Sequence, residues 1–222
     1  MTCGAIFDLD GTLLDTIGDL AAAGNAVCRE NGWRQWTDRE FQALVGHGME
    51  NLIRQMSPPE AQSPEKRAET LERFLDQYAA HCVDRTRPFP GMPELLGRFR
   101  EWGVKMAVLS NKPDGFTREL MERFYPGVFD VVHGHRAGRP VKPDPSLGRE
   151  TLKELGIPAE GTLFIGDSAT DVLTGHNAGV RVCAVTWGYR PRASLGEADF
   201  LADTPGDLER LARAFWGFGT EL

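Results

Sequence analysis

Residues 4–16 read GAIFDLDGTLLDT. An apolar run at residues 5–7 ends in two aspartates, Asp8 and Asp10, and the chain then turns at Gly11. Short apolar runs of this kind are typical of strands that are buried in a parallel sheet. Because ligands bind beyond the carboxyl ends of the strands in such sheets, the two aspartates are the first candidates for a functional site.

Four similar apolar runs follow later in the chain, and most of them precede a loop and a helical pattern. They lie at residues 104–109, 128–132, 162–165 and 180–185. The predicted helices between and after these runs cover residues 92–102, 115–124, 145–155, 169–178 and 205–216. This alternation of strand and helix predicts an α/β fold with a doubly wound parallel sheet.

Residues 16–87 interrupt the alternation. Four segments have helical patterns, with no credible strand among them, at residues 17–30, 38–45, 49–56 and 64–82. The sequence PFPG at residues 88–91 marks the return to the α/β pattern, because two prolines and a glycine stop helices. We therefore predict a core domain of residues 1–15 and 88–222 and an inserted all-helical domain of residues 16–87, joined at hinges near Asp15 and Pro88.

The composition excludes several classes of protein. Hydrophobic residues make up 41% and charged residues 26% of the 222 residues, as in globular domains. The net charge of −7 disfavours a nucleic-acid polymer as partner. We find no secretory signal pattern and no apolar run of about 20 residues, so we expect a cytoplasmic protein without a membrane partner. The oligomeric state stays open between a monomer and a homodimer.

Polar side chains follow the predicted strands at the edge where their carboxyl ends meet. Besides Asp8 and Asp10, this set comprises Ser110, Asn111, Lys142, Asp167 and Asp171. Carboxylates packed together repel one another, which is costly unless a divalent cation lies among them. Oxygen ligands without histidine or cysteine favour Mg²⁺ over zinc, and Mg²⁺ often completes its shell with water and phosphate.

We therefore expect a small phosphorylated metabolite as substrate. Lys142, the hydroxyl of Ser110 and the amides near Asn111 supply donors for phosphoryl oxygens. The spacing of Asp8 and Asp10 allows one carboxylate to attack phosphorus while the other transfers a proton. The attack would form an aspartyl-phosphate. Thr12 is expected to hydrogen-bond Asp10.

Four motifs resemble those of the haloacid dehalogenase superfamily and occur in the expected order. The matching stretches are FDLDGTLLDT (7–16), LSNKP (109–113), KPDP (142–145) and GDSATD (166–171). The resemblance extends from Gly4 to about Arg190. It implies that residues 16–87 form a mobile helical cap, which closes over the site and excludes water.

The resemblance also implies roles for individual residues. Asp8 would be the nucleophile, Asp10 the general acid and base, and Ser110 and Lys142 the phosphate holders. Asp167 would join Asp8 and the backbone carbonyl of Asp10 around Mg²⁺. Asp171 would lie in the metal shell or just behind it.

Individual residues also distinguish between the activities that occur in this family. The presence of Asp10 favours phosphoryl transfer over dehalogenation. Lys66 is the only lysine between residues 15 and 87 and lies in a polar stretch, which disfavours a Schiff-base mechanism. The stretch LVGHGMENLI (44–53) resembles the cap specificity loop of phosphoglycolate phosphatases, so Gly46, His47 and Gly48 are candidate specificity residues. A plain turn between helices is an equal alternative for them.

These observations favour a Mg²⁺-dependent phosphatase that acts on a small phosphate monoester, above all 2-phosphoglycolate. The same chemistry on pyrophosphate, a sugar phosphate or a nucleotide monophosphate is the nearest alternative. A catalytically silent binding or regulatory module is a further one. Whether Arg87, near the hinge, or Arg190 reaches the site stays open.

Overall fold

Eight strands form two sheets in residues 2–218, the part of the chain that the computed structural model describes. The strands are β1 (Gly4–Phe7), β2 (Leu14–Asp15), β3 (Arg87–Pro88), β4 (Lys105–Pro113), β5 (Val131–His135), β6 (Thr162–Gly166), β7 (Arg181–Val185) and β8 (Phe200–Ala202). Six of them form one parallel sheet in the order β5-β4-β1-β6-β7-β8. Strand β1 therefore lies between β4 and β6, and the carboxyl ends of these three strands meet at one edge.

Nine α-helices accompany the strands within residues 2–218. They are α1 (Ile17–Glu30), α2 (Asp38–Gln42), α3 (Met49–Met56), α4 (Pro64–His81), α5 (Met92–Glu101), α6 (Asp114–Phe124), α7 (Ser146–Leu155), α8 (Ala169–Ala178) and α9 (Pro205–Trp216). Alternate residues of β1 face opposite sides of the sheet: Phe7 packs into the same apolar cluster as Leu95 of α5, and Ile6 into a second cluster with Leu152 of α7. Helices thus cover both faces, and the predicted doubly wound α/β fold is confirmed.

Helices α1 to α4 lie between β2 and β3, where the sequence predicted an all-helical insertion. Strands β2 and β3 pair antiparallel, with Leu14 opposite Pro88 and Asp15 opposite Arg87. This two-stranded link lies where we expected hinges, although no strand was predicted there. The division into a core of residues 1–15 and 88–222 and a cap of residues 16–87 remains a proposal. Its outermost residues, 1 and 219–222, lie outside the described part.

Three predicted elements differ from the structure by three residues or more at one end or both, and one of them, the strand predicted at 104–109, extends to Pro113. The predicted helix at 38–45 ends at Gln42, because the amides of residues 43–45 bond to carbonyls three residues earlier and form successive turns. The predicted strand at 128–132 begins only at Val131, because Val128 closes a turn onto the carbonyl of Tyr125. Within residues 2–218, none of the helices combines the length and the apolar character that a membrane crossing requires.

Candidate active site

The structure brings the predicted carboxylates together at the carboxyl edge of the sheet. Asp8 follows β1 directly, Asp167 follows β6, and Asp171 lies in the first turn of α8. Their side chains each offer one oxygen, and these oxygens lie within 4.8 Å of one another. All three residues are buried. We call Asp8, Asp167 and Asp171 the carboxylate cluster.

The carboxylate cluster is electrostatically unfavourable without a cation. Burial, with a contribution from Asp171, raises the pKa of Asp8 to about 7, although Lys142 acts in the opposite direction. Burial and the charges of Asp171 and Asp8 likewise raise the pKa of Asp167 well above its ordinary value. An all-oxygen donor set of this kind fits a hard divalent cation such as Mg²⁺.

Lys142 connects two members of the cluster. Its Nζ lies 2.8 Å from Oδ1 of Asp8 and 2.7 Å from Oδ1 of Asp171. Burial alone lowers the pKa of the ammonium group, but the charges of Asp171 and Asp8 outweigh burial and raise it. The other oxygen of Asp171 accepts hydrogen bonds from the backbone N–H and the hydroxyl of Ser168, which caps α8. Lys142 therefore stays charged beside the candidate nucleophile.

Asn111 positions the backbone around Lys142. Its Oδ1 accepts a 2.7 Å hydrogen bond from the Lys142 N–H, and its Nδ2 donates to the carbonyls of Lys142 and Gly46. Ser110 lies beside it, and its Oγ accepts a hydrogen bond from the Lys112 N–H. The Asn111 side chain is thus occupied by backbone groups, and a contribution of Asn111 to phosphate binding stays a prediction.

Asp10 has different partners from those that the sequence predicted. Its carboxylate pairs with Nζ of Lys112 at 2.9 Å and accepts a 2.6 Å hydrogen bond from the hydroxyl of Thr16. Thr12 was predicted to hold Asp10, and this prediction was wrong: the buried Oγ1 of Thr12 has no hydrogen-bond partner among residues 2–218. The turn at Gly11 directs the Asp10 side chain toward β4 and the start of α1.

The candidate specificity loop lies over this site. Gly46 and Gly48 line a cavity of about 20 Å³ together with Asp8, Asp10 and Lys142. Both glycines have positive φ angles, 106° and 84°, which L side chains rarely adopt. His47 is exposed and lines the larger cleft described below, and its Nδ1 lies 3.4 Å from the hydroxyl of Thr170. Burial lowers the pKa of His47, with a further contribution from the charge of Arg190.

A larger cleft of about 740 Å³ adjoins the small cavity, and Gly48 and Met49 line both. Its walls come from α3, α4 and the loop at residues 135–141. Arg54, Arg67 and Arg139 contribute three cationic side chains to the lining, against the single acid Glu50. We call this the outer cleft.

Three residues of the site were missed at the sequence level, Thr16, Lys112 and Tyr189, and the question left open for Arg190 is answered by its contacts. The backbone N–H of Tyr189 donates a 2.7 Å hydrogen bond to Oδ2 of Asp167. Arg190 donates to the carbonyls of Gln42 and Val45. Alternation along β4 was a usable signal for Lys112. Residues two apart in a strand lie on the same side of the sheet, and Lys112 comes two residues after Ser110. Tyr189 follows β7 and carried no comparable signal.

The open question about Arg87 is answered by its contacts. Its guanidinium donates to the carbonyls of Val83, Asp84 and Thr86, at the end of the helical insertion. None of these groups belongs to the carboxylate cluster or to the small cavity.

Known proteins resemble this chain over nearly its whole length. The family model for haloacid dehalogenase-like hydrolases matches residues 5–185. N-acetylmuramic acid 6-phosphate phosphatase from Pseudomonas aeruginosa is 34% identical over 212 residues, which cover 91% of each chain. Phosphoglycolate phosphatase from Aquifex aeolicus is 30% identical over 207 residues, covering 93% of this chain and 94% of the relative.

A solved structure shows the same arrangement. A provisionally assigned phosphoglycolate phosphatase from Lactobacillus delbrueckii subsp. bulgaricus superposes with a TM-score of 0.89 at 34% sequence identity. The match covers 94% of this chain and 97% of that one. The similarity therefore includes both the sheet and the helical insertion, over almost the whole of each chain.

Proposed function

The chain belongs to the haloacid dehalogenase-like hydrolase family and is a phosphatase; from this premise we propose that it hydrolyses a small phosphate monoester with the help of Mg²⁺. Our first candidate substrate is 2-phosphoglycolate, and the intermediate is an aspartyl-phosphate on Asp8. The observation that supports the proposal most directly is the carboxylate cluster with Lys142 bound between Asp8 and Asp171.

In the first step, an oxygen of Asp8 forms a bond to phosphorus while the bond from phosphorus to the ester oxygen breaks. Lys142 and Ser110 hold phosphoryl oxygens, so negative charge that develops there is stabilised. Asp10, in its protonated form, gives that proton to the departing alkoxide. Lys112 and Thr16 orient the Asp10 carboxyl group for this transfer.

In the second step, a water molecule attacks the phosphorus of the aspartyl-phosphate, and Asp10 takes the proton of that water. The bond between phosphorus and the Asp8 oxygen breaks, which releases inorganic phosphate and restores both carboxyl groups. Asp8, Asp167 and the backbone carbonyl of Asp10 would hold the Mg²⁺, with Asp171 in the metal shell or just behind it. The bound ion would neutralise the carboxylates and the phosphoryl oxygens.

An Asp8→Asn variant tests the mechanism. We expect it to fold and to lose phosphate release from 2-phosphoglycolate, because an amide is not a nucleophile for phosphorus. The exposed Asp84, which pairs with His81 on the surface, provides the control Asp84→Asn. Turnover that persists in Asp8→Asn would contradict the aspartyl-phosphate. If the unaltered enzyme releases no phosphate from any monoester with Mg²⁺, the catalytically silent module is favoured.

A sugar phosphate is the second candidate substrate, and the outer cleft is the observation that favours it. Glycolate is far smaller than a cleft of about 740 Å³, and one relative is a phosphatase of a phosphorylated amino sugar. Steady-state kinetics with 2-phosphoglycolate, hexose 6-phosphates, pyrophosphate and nucleotide monophosphates would rank the candidates. The highest kcat/KM identifies the preferred class.

A further inference from the structure

The segment WGYR at residues 187–190 follows β7 and lies beyond the four motifs. Nε1 of Trp187 donates a 3.1 Å hydrogen bond to the carbonyl of Thr12. The hydroxyl of Tyr189 accepts a 2.7 Å hydrogen bond from the Thr16 N–H and donates to Asp15. These contacts join residues that are more than 170 positions apart in sequence. The segment therefore touches the turn after β1 and the link to the helical insertion.

Arg190 extends this set of contacts to the insertion itself. Its guanidinium donates a 2.8 Å hydrogen bond to the carbonyl of Gln42 and a second hydrogen bond to the carbonyl of Val45. No carboxylate within residues 2–218 forms an ion pair with Arg190, although its charge acts against the rise in the pKa of Asp167. Its hydrogen bonds go to the end of α2 and to the loop of residues 43–48. We call residues 43–48 the cap loop. On its other side, the carbonyl of Gly46 accepts from Asn111.

The cap loop leaves little room for substrate in the reaction site. The cavity beneath it measures about 20 Å³, which is roughly the space that one water molecule needs. A phosphate monoester is several times larger, so part of the lining must move for substrate to enter and return before reaction, and the cap loop supplies Val45, Gly46 and Gly48 of that lining. Movement of the cap loop would break the two hydrogen bonds of Arg190 and form them again in each turnover.

We propose that Arg190 is a positioning residue that holds the cap loop over the reaction site in the closed state. The inference rests on the proposed phosphatase function. Arg190 acts through the carbonyls of Gln42 and Val45 and touches no reacting atom. With the loop closed, Asn111 bonds both Gly46 and the backbone of Lys142, so closure and the placement of the phosphate-holding lysine occur together.

Hydrogen exchange gives a direct readout of this role. The amides of Ala43, Leu44 and Val45 bond to the carbonyls of Glu40, Phe41 and Gln42 in successive turns. We expect Arg190→Met to speed their exchange by about tenfold to a hundredfold, because two charge-assisted hydrogen bonds no longer oppose opening. The kcat for a phosphate monoester should fall by about tenfold or more, because the loop is open in a larger fraction of the enzyme–substrate complex.

Arg192→Met is the matched control. Arg192 lies two residues further on and pairs with Asp203 on the surface, where more than half of each side chain is exposed. The Arg192→Met substitution should leave both the amide exchange at residues 43–45 and kcat unchanged. Arg190→Lys keeps the charge but reaches one carbonyl at a time, so intermediate effects are expected; it also serves if Arg190→Met does not fold.

The outcomes separate this inference from the proposed function. Exchange at residues 43–45 that is unchanged in Arg190→Met, or equally raised in Arg192→Met, overturns the inference. Faster exchange with an unaltered kcat also overturns it, because the loop would then be held without consequence for the reaction. If the unaltered enzyme shows no phosphatase activity, the proposed function fails, and the exchange data alone decide whether Arg190 holds the loop.

Discussion

Lys112 and Asp10 form a buried ion pair in which Nζ lies 2.9 Å and 3.1 Å from the two carboxylate oxygens. The Lys112 side chain is fully buried, and that of Asp10 is only 10% exposed. Nζ also lies 4.8 Å from the centre of the Tyr78 ring, which belongs to α4. One ammonium group thus joins the candidate general acid to the helical insertion, and its removal leaves a buried carboxylate without its cation.

Lys112→Met should lower the free energy of unfolding by about 3–5 kcal/mol, because it leaves Asp10 buried and unpaired. The double variant Lys112→Met/Asp10→Asn should lose less than the sum of the single variants, since neither charge remains. Denaturant unfolding of all four proteins measures the coupling energy. Losses that simply add would show that the pair does not interact.

A control for this cycle is present on the same strand. Lys105 pairs with Asp130 at 2.8 Å, but half of its side chain is exposed. Lys105→Met should therefore cost only about 0–1 kcal/mol. A loss of stability as large as that of Lys112→Met would mean that the changed packing of the lysine side chain, and not the buried charge, explains the effect of Lys112→Met.

Thr16 and Thr12 offer a second matched comparison. Both are buried, but only the Thr16 hydroxyl bonds Asp10. Thr16→Val should destabilise the protein by about 1–2 kcal/mol and lower kcat, because Asp10 loses a hydrogen-bond donor. Thr12→Val should be neutral or stabilising, since a buried hydroxyl without a partner is costly. Thermal unfolding and phosphate release measure both, and a larger loss in Thr12→Val would contradict this assignment.

Local sequence patterns predicted most of the fold. The bounds of α1, α3 and α8 agree with the prediction, because apolar periodicity and glycines or prolines at the ends are local signals. Strand β8 was missed because three residues are too short to show a period. The pairing of β2 with β3 depends on residues more than 70 positions apart, and two-residue strands carry no pattern that reveals it.

The residues of the site likewise divide into those that local sequence patterns reveal and those that they do not. The residues that follow strands were found because a parallel sheet brings its carboxyl ends together. Thr16 and Tyr189 were missed, and the role of Arg190 stayed open, because their function lies in their partners, and those partners are fixed only when the chain folds. Thr12 was chosen for nearness in sequence, but the turn at Gly11 directs the Asp10 carboxylate to Thr16 instead.

Gly188 is a position where the metal site tolerates no side chain. A Cβ there would overlap with the side chain of Asp167 and the carbonyl of Gly11. Gly188→Ala should therefore displace Asp167 and weaken Mg²⁺ activation by about tenfold or more, as expected when a ligand is misplaced. Gly196→Ala, where nothing lies within 4 Å of the new Cβ, is the control. Equal Mg²⁺ dependence in the two variants would contradict a role for Asp167 in holding the metal.

The arginine side chains of the outer cleft predict how substrates whose leaving group carries a carboxylate are recognised. The Arg54 guanidinium donates to Oδ1 of Asn51, a neutral partner, and lines the cleft. Arg54→Gln should raise KM for 6-phosphogluconate, a sugar phosphate with a carboxylate, by about tenfold, because one charge-assisted contact is lost. KM for glucose 6-phosphate should not change, and the exposed Arg39 provides the control Arg39→Gln. A rise in KM for both compounds would show that Arg54 does not bind the carboxylate.

The carboxylate cluster predicts a pH-dependent stabilisation by Mg²⁺. The pKa of Asp8 is raised from its ordinary value of 3.8 to about 7 in the folded protein. The folded state therefore holds a proton that the unfolded chain has already released, and the stability from that proton is complete below the ordinary pKa and is lost as the pH rises through about 7. The raised pKa of Asp167 acts in the same direction.

Mg²⁺ takes the place of the proton, because both neutralise the same oxygens. The increase in Tm on adding MgCl₂ should be small at about pH 5 and should grow as the pH rises to about 8. Thermal unfolding with MgCl₂, compared with NaCl at equal ionic strength, measures this difference. In Asp167→Asn the pH dependence should be weaker, since one competing carboxylate is gone. A Tm increase of the same size at every pH would show that Mg²⁺ does not bind at the carboxylate cluster.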